Sequence, residues 1–336
     1  PGTRLTVAVL ANFLRNPVKE FFRHRLQVSF DERDAAAEDD EAFTSAGLER
    51  WALLDEVLRE SRRQLEHASP ASREPQALAA IVQAQVARLK RAGRLPMAGP
   101  GRQVETELVH TLVPMVTQWQ TLLDEHPQAR DKQPLHWAPL DDPDVVLDDW
   151  LVGLRSTGET AAHAVWIDLQ ASKVADKKVE NARVDKMLTA WVRCLASVAC
   201  GQPAGGIVVG ADAFVEVTPP ARDAALSTLG SLLRACRDGL KGDAPLPTAV
   251  RTGLAFLKDP AKARTTYEGS DFGGPPGEGS EACLARLYPD YAALCGQADF
   301  YAATRLLYGD YQAWLDDHVI VTALPDSADL AEGDDE

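Results

Sequence analysis

The 336-residue sequence predicts a mixed α/β (α+β) fold, in which a mainly helical first part precedes a part where strands and helices alternate. Apolar residues recur at helical spacing through most of residues 1–133. Short β-rich runs begin at about residue 134, and a strongly amphipathic helix follows them. We therefore expect a starting strand with helices over 1–133 and a mixed sheet core with flanking and C-terminal helices over 134–325. Residues 326–336 are predicted to be a disordered acidic tail.

The first part opens with a short β-like run at residues 4–10, which leads into a helix-like pattern with basic residues between the apolar positions. Ser45 is placed to cap the next helix. Helical spacing resumes over residues 76–92 and stops at a glycine. A further helix contains Pro114, where we expect a kink.

The second part begins with two β-rich runs at residues 145–155 and 162–172, joined by a hairpin-like connection. The amphipathic helix spans residues 182–199 and is followed by a strand, a turn and a strand over 205–217. Another helix is expected over 219–240, and after a long glycine- and proline-rich loop the chain is predicted to be helical to about Trp314.

The net charge of −15 is concentrated in two short segments. Residues 31–41 carry seven acids and one arginine, and residues 326–336 carry six acids and no base, so each contributes −6. Only three net negative charges are left for the remaining chain. The acidic strings are expected to be solvated, or to act as arms for a basic partner. A nearly neutral body does not predict strong DNA binding by this chain alone.

Several classes of protein are disfavoured by missing patterns. No apolar run reaches the length needed to cross a membrane, so no membrane partner is expected. The sequence lacks a P-loop, an HExxH motif and a GxSxG elbow, and we expect no cofactor.

The five cysteines are scattered, as in a protein of the reducing cytoplasm. Because the chain starts Pro-Gly, we interpret it as part of a longer protein.

The strongest candidate for chemistry is a set of carboxylates on the two β-rich runs, Asp148, Asp149 and Asp168. Hydrolysis of a phosphodiester with two metal ions needs acids from neighbouring strands and a nearby cation. Side chains alternate along a strand, so only acids of the correct parity can face one cleft. The residues alone leave two interpretations open: a metal site, or solvated acids at strand ends.

The stretch ANFLRNPVKEFFRHRLQVSF at residues 11–30 resembles the start of the C-terminal domain of RecC, the gamma chain of exodeoxyribonuclease V. Later segments agree in order, among them AGLERWALLDEVL, WVRCLASVACG, TPPARDAALSTLGSLLRACRDGL and KARTTYEG. The resemblance covers roughly residues 5–320. The first stretch is specific to this family, whereas the later segments support the resemblance because they occur in the same order.

The resemblance implies a PD-(D/E)xK nuclease fold that has lost its active site. Val152 stands where active relatives carry the first metal-binding acid. Asp168 retains the second acid, and Gln170 stands where the catalytic lysine is expected. Valine cannot bind a cation, and glutamine cannot supply a positive charge. The implied role is a non-catalytic, architectural part of the RecBCD complex in double-strand-break repair, which contacts RecB, RecD and forked or unwinding DNA.

The sequence leaves other hypotheses open. A displaced metal site would use Asp149 and Asp168, with Lys173 in place of the lost lysine. A third hypothesis is autonomous DNA binding through a basic groove. Basic residues of the first helical stretch are candidates for contact with DNA or a partner, or else form a solvated helix face; they are Arg15, Lys19, Arg23 and Arg25.

Overall fold

The computed structural model describes residues 2–30, 45–66, 74–96, 98–158, 164–270 and 276–325. Over these residues the chain forms, in order, β1 (Thr3–Leu5), α1 (Val7–Arg15), α2 (Pro17–His24), α3 (Ser45–Glu66), α4 (Pro75–Arg91), α5 (Ala98–Glu125), β2 (Gln128–Ala129), β3 (Gln133–Trp137), β4 (Val145–Leu151), β5 (Leu154–Ser156), β6 (Val165–Leu169), α6 (Val184–Ala199), β7 (Gly205–Val209), β8 (Ala213–Val217), α7 (Arg222–Lys241), α8 (Val250–Lys258), α9 (Pro260–Glu268), α10 (Ala282–Leu287), α11 (Tyr291–Cys295), α12 (Phe300–Asp317) and β9 (Val319–Ala323). The predicted mixed α/β class is confirmed.

The strands form two sheets. Sheet 1 has the order β1-β4-β3, with β1 parallel to β4 and β3 antiparallel to it. Sheet 2 has the order β2-β5-β6-β7-β8-β9 and is antiparallel except between β6 and β7. Helix α6 makes the crossover that a parallel pair requires. The chain enters sheet 2 at β2, returns to sheet 1 for β3 and β4, and passes to sheet 2 again between β4 and β5.

Sheet 2 is covered on both faces, because alternate residues of its strands enter different cores. Trp166, Val208 and Val215 belong to the main core, which also takes in α1, α6, α7 and the inner face of sheet 1. Ile167 and Ile207 point the other way, into a core formed with α3, α4 and α5. A smaller third core lies under α2 and the helices from α8 to α12. Strands β6 and β7 are therefore buried on both sides.

Local signals explain where the first elements begin and end. The predicted strand at residues 4–10 is too long, since β1 ends at Leu5 and α1 begins at Val7. Thr6 lies between them and caps the helix by accepting a hydrogen bond from the amide of Val9 at 3.2 Å. Asn16 then separates α1 from α2 and caps the second helix, which starts at a proline.

The C-terminal region holds a strand that the helical pattern did not predict. Helix α12 extends to Asp317, and β9 follows directly and pairs antiparallel with β8. Strands β2 and β3 are short and were also not predicted. Helix α5 contains Pro114 as an internal residue, and the kink expected there stays a prediction.

The proposed boundary between residues 133 and 134 lies at the start of β3. Strand β1 pairs with β4, and α1 packs on α6, so the first residues of the chain contribute to the core of the second part. The two-part division stays a prediction. The acidic strings at 31–41 and 326–336 lie outside the described residues. Within the described part of the chain, no helix has the length and apolar character to cross a membrane.

Candidate functional site around Asp168

Asp168 lies near the end of β6, one of the two central strands of sheet 2. Along β6 the side chains alternate, so Asp168 shares a face with Trp166, which is fully buried in the main core. Ile167 faces the opposite core. The parity of the strand therefore directs the Asp168 carboxylate toward α6, the helix that covers this face of the sheet.

Val152 lies at the passage between the two sheets, after β4 and before β5, and its residue is 52% exposed. Strands β5 and β6 are antiparallel, with Leu154 opposite Trp166 and Arg155 opposite Val165. Val152 lies two residues before this paired segment, and Gly153, which separates it from β5, has a positive φ of 73°. The position that the resemblance assigns to the missing acid therefore precedes β5 and is not among the paired residues.

The partner of Asp168 is an arginine from the covering helix. The Nη1 of Arg193 donates to Oδ2 of Asp168, and the two side chains are 21% and 34% exposed, respectively. The guanidinium carbon of Arg193 also lies 5.9 Å from the centre of the Trp166 ring. One cation therefore contacts the carboxylate and the aromatic side chain two residues before it. The pair is partly desolvated, which strengthens it relative to an exposed ion pair.

Arg193 was missed by the sequence reasoning, although a signal was present. It is the single charged residue in the stretch WVRCLASVA, at the C-terminal end of α6, whose other side chains are buried. A charge on such a helix requires an opposite charge nearby, because burial of an unpaired ion is costly. Burial raises the pKa of the neighbouring Cys194 thiol well above its ordinary value, so this neighbour is neutral.

Asp149 lies in the other sheet and has a structural role there. It is on β4, whereas Asp168 is on β6. Its Oδ2 accepts a hydrogen bond from the amide of Val7 at 2.9 Å, and its Oδ1 accepts from the amide of Trp150 at 2.8 Å. The carboxylate thus satisfies one of the free donors at the N-terminus of α1.

Replacing Asp149 with alanine is expected to lower the free energy of unfolding by about 1 kcal/mol, because the α1 N-terminus loses a capping acceptor. Urea unfolding followed by circular dichroism measures this change. Asp148→Ala is the matched control: its exposed carboxylate contacts Arg4 at 3.1 Å, so its effect should be smaller. Unchanged stability of Asp149→Ala, together with weaker Mg²⁺ binding, would contradict the capping role.

Gln170 and Lys173 both follow the end of β6. Strand β6 ends at Leu169, and the amide of Gln170 donates to the carbonyl of Val209 at 2.9 Å, which continues the pairing with β7. Lys173 therefore lies beyond the strand. Next to it, Oδ1 of Asp212 accepts from the amide of Val174 at 2.8 Å. Burial raises the pKa of the Asp212 carboxyl, and that hydrogen bond opposes the effect.

Three of the four basic candidates near the N-terminus have partners within the chain. Arg15 donates to the carbonyl of Asp185 at 3.3 Å. Arg23 contacts the buried Glu20 at 3.2 Å. Arg25 donates to a main-chain carbonyl just after α7 at 3.3 Å. Each of these three side chains therefore has a contact within the chain, and neither a role in binding nor a solvated helix face is decided by these contacts.

The fourth basic candidate, Lys19, lies beside a small cavity of approximately 130 Å³ that carries charges of both signs. Arg251 lines the same cavity, and so do Glu278 and Glu281. Both carboxylates are used by helix N-termini: Glu278 accepts from the first amides of α8, and Glu281 accepts from those of α10. Opposite charges at this cavity balance one another, so it does not form a basic surface.

The described residues do not assemble a metal centre. Among them, no group of three or more histidine, cysteine, aspartate or glutamate side chains is placed to hold a metal ion. Of the two acids considered as metal ligands from the sequence, Asp168 pairs with an arginine and Asp149 caps a helix. At these two positions the carboxylates form an ion pair and a helix cap.

The fold and this site define a mixed α/β domain with two sheets, whose larger sheet is covered by helices on both faces. Residues 2–261 match the RecC C-terminal domain, and the chain belongs to this family. The resemblance predicted from the sequence is thereby confirmed. Membership indicates a subunit role in the RecBCD complex, exodeoxyribonuclease V, in DNA repair and recombination. A comparison with curated proteins found no match.

Proposed function

We propose that this chain is a non-catalytic domain with a PD-(D/E)xK nuclease-like core, which serves as an architectural part of the RecBCD complex in the cytoplasm. It contacts RecB and RecD and helps to split the duplex and to guide the separated strands during repair of double-strand breaks. The observation that carries the non-catalytic part of this proposal is the ion pair between Asp168 and Arg193.

A guanidinium and a divalent metal ion compete for the same carboxylate, but they differ in chemistry. A metal ion lowers the pKa of a bound water and so supplies a nucleophile. The guanidinium of Arg193 neutralises Asp168 and has no open coordination position for water. A metal ion would first have to displace this arginine, which is also held over the Trp166 ring.

The neighbouring strand supports the same proposal. In active nucleases of this fold, one strand supplies an acid, and the next supplies an acid followed two residues later by lysine. Here Val152 directly precedes the segment that leads into β5, the strand paired with β6, and Gln170 follows two residues after Asp168. A single carboxylate is left where two are needed to bind Mg²⁺ for phosphodiester hydrolysis.

The alternative, an active metal-dependent nuclease at Asp149 and Asp168, has less support. The two carboxylates belong to different sheets, and Asp149 would have to leave the N-terminus of α1. The hypothesis of autonomous DNA binding also has little support, because Arg15, Arg23 and Arg25 have partners within the chain. Contact of these residues and Lys19 with DNA or a partner stays a prediction.

A cleavage assay tests the non-catalytic proposal. The purified chain is incubated with labelled single-stranded and duplex DNA in Mg²⁺ or Mn²⁺, beside Asp168→Asn and the control Asp148→Asn. We expect no cleavage above background in any of the three. Metal-dependent cleavage that is lost in Asp168→Asn but kept in Asp148→Asn would overturn the proposal in favour of the nuclease.

The architectural role has a separate test. RecB and RecD are purified with RecC that contains or lacks this domain, and the amount of each retained subunit is measured. We expect retention to fall when the domain is absent. Equal retention of both subunits would contradict an architectural role.

A further inference from the structure

A groove lies between the start of α7 and the C-terminal half of α12, away from Asp168. Its volume is approximately 460 Å³, which lies within the usual range of binding pockets. Trp191 and Leu195 of α6 and Trp314 of α12 line it with apolar surface. Helix α12, which forms one wall of this groove, lies beyond residues 2–261, the part of the chain that matches the family.

The groove is open because small side chains line the facing helices. Ala221, Ala224 and Ser227 line the α7 side, and Ala313 lines the α12 side. The distance between two packed helices depends on the size of the side chains between them. Small residues leave room for another chain to come close. The dimensions of the groove therefore suit side chains of a docked segment.

The charge of the groove is negative. Two exposed acids of α12, Asp310 and Asp317, line it, whereas no lysine or arginine is among its described lining residues. They are seven residues apart, which is two turns, or roughly 10 Å along the helix. Thr228 donates to Asp310 from the groove wall, which orients that carboxylate. His318 contacts the hydroxyl of Thr218 at 3.0 Å.

This charge selects among possible occupants. DNA phosphates are repelled by the two aspartates. The segments 31–41 and 326–336 of this chain each carry a net charge of −6, so they are repelled as well. A segment with positive charges spaced by two helical turns is complementary to Asp310 and Asp317.

We propose that the groove binds a basic amphipathic helix of a partner subunit, with an apolar side chain packed between the two helices. Lysine or arginine residues seven positions apart on that helix would contact Asp310 and Asp317. This mode of binding places an amphipathic helix in a groove through side chains at helical spacing. The proposal rests on the proposed subunit role, since it names the surface through which RecB or RecD is held.

The test measures retention of RecB and RecD by RecC that carries full-length versions of this domain. The double variant Asp310→Lys/Asp317→Lys reverses the charge of the groove. Ala224→Trp fills it without changing the charge. Asp316→Lys is the matched control, because this exposed acid lies on the same helix and does not line the groove. Thermal unfolding of each variant checks that the fold is kept.

We expect both groove variants to lower the retention of RecB or RecD by about tenfold or more, while Asp316→Lys leaves it near the wild-type value. Retention of both subunits by folded groove variants would overturn the groove as their binding surface, although the subunit role would stand. If RecC retains RecB and RecD equally well with and without the wild-type domain, the subunit role is overturned, and the groove proposal is overturned with it.

A photo-crosslinking residue at Ala224 identifies the occupant directly. A crosslinked peptide from RecB or RecD with two basic residues seven positions apart supports the proposal. Crosslinking to a second copy of this chain, or to DNA, overturns it.

Discussion

Replacing Gly206 with alanine is expected to lower the free energy of unfolding by about 3 kcal/mol, because the added methyl group has no room. A Cβ atom at this position would lie 2.1 Å from the ring of Trp166 on the paired strand β6. The ring is fully buried, and the guanidinium of Arg193 lies 5.9 Å from its centre, so a shift of the ring is expected to be costly. Urea unfolding followed by tryptophan fluorescence measures the change.

Gly309→Ala provides the matched control on α12. A Cβ atom there would meet nothing within 4 Å, and alanine is favoured over glycine within a helix by about 1 kcal/mol. We therefore expect the two glycine substitutions to change stability in opposite directions. An unfolding midpoint of Gly206→Ala equal to that of the wild type would show that the Trp166 ring has space to adjust.

The fragment 134–325 is expected not to fold by itself, which is the largest effect that we predict. It lacks β1, the parallel partner of β4, and α1, whose side chains Phe13 and Leu14 are fully buried in the main core. It also lacks α3, α4 and α5, so the face of sheet 2 that carries Ile167 and Ile207 would be exposed to water. Dispersion of amide signals in an NMR spectrum measures whether it folds.

The control for this experiment is a chain that ends at residue 325, which keeps every described element and removes only the acidic segment 326–336. We expect this chain to give the dispersed spectrum of a folded protein. A dispersed spectrum from the fragment 134–325 would instead support the predicted division of the chain into two parts.

The sequence predicted those elements whose signals are local. Helix α6 follows from apolar residues at helical spacing, and the strand pair β7–β8 follows from two β-branched runs around a turn. Strand β9 was not predicted, although its sequence VIVTA is rich in the β-branched residues that favour strands. Its pairing with β8 depends on residues about a hundred positions earlier.

The candidate site was predictable only in part, because its contacts join distant residues. The position of Asp168 on a strand, and its parity, could be predicted from the alternation in VWIDL. Its partner Arg193 is 25 residues away on a helix, and the amide that Asp149 caps is 142 residues away. Such pairings depend on the tertiary fold, and neither residue spacing nor composition encodes them.

The ion pair between Asp168 and Arg193 also limits how this domain can evolve. Loss of Arg193 alone leaves the partly buried Asp168 carboxylate without its cation. A substitution that removes the arginine is therefore expected to be destabilising before any new partner for the carboxylate can arise. The pair thus favours keeping both residues together, while the surfaces around it are free to diverge.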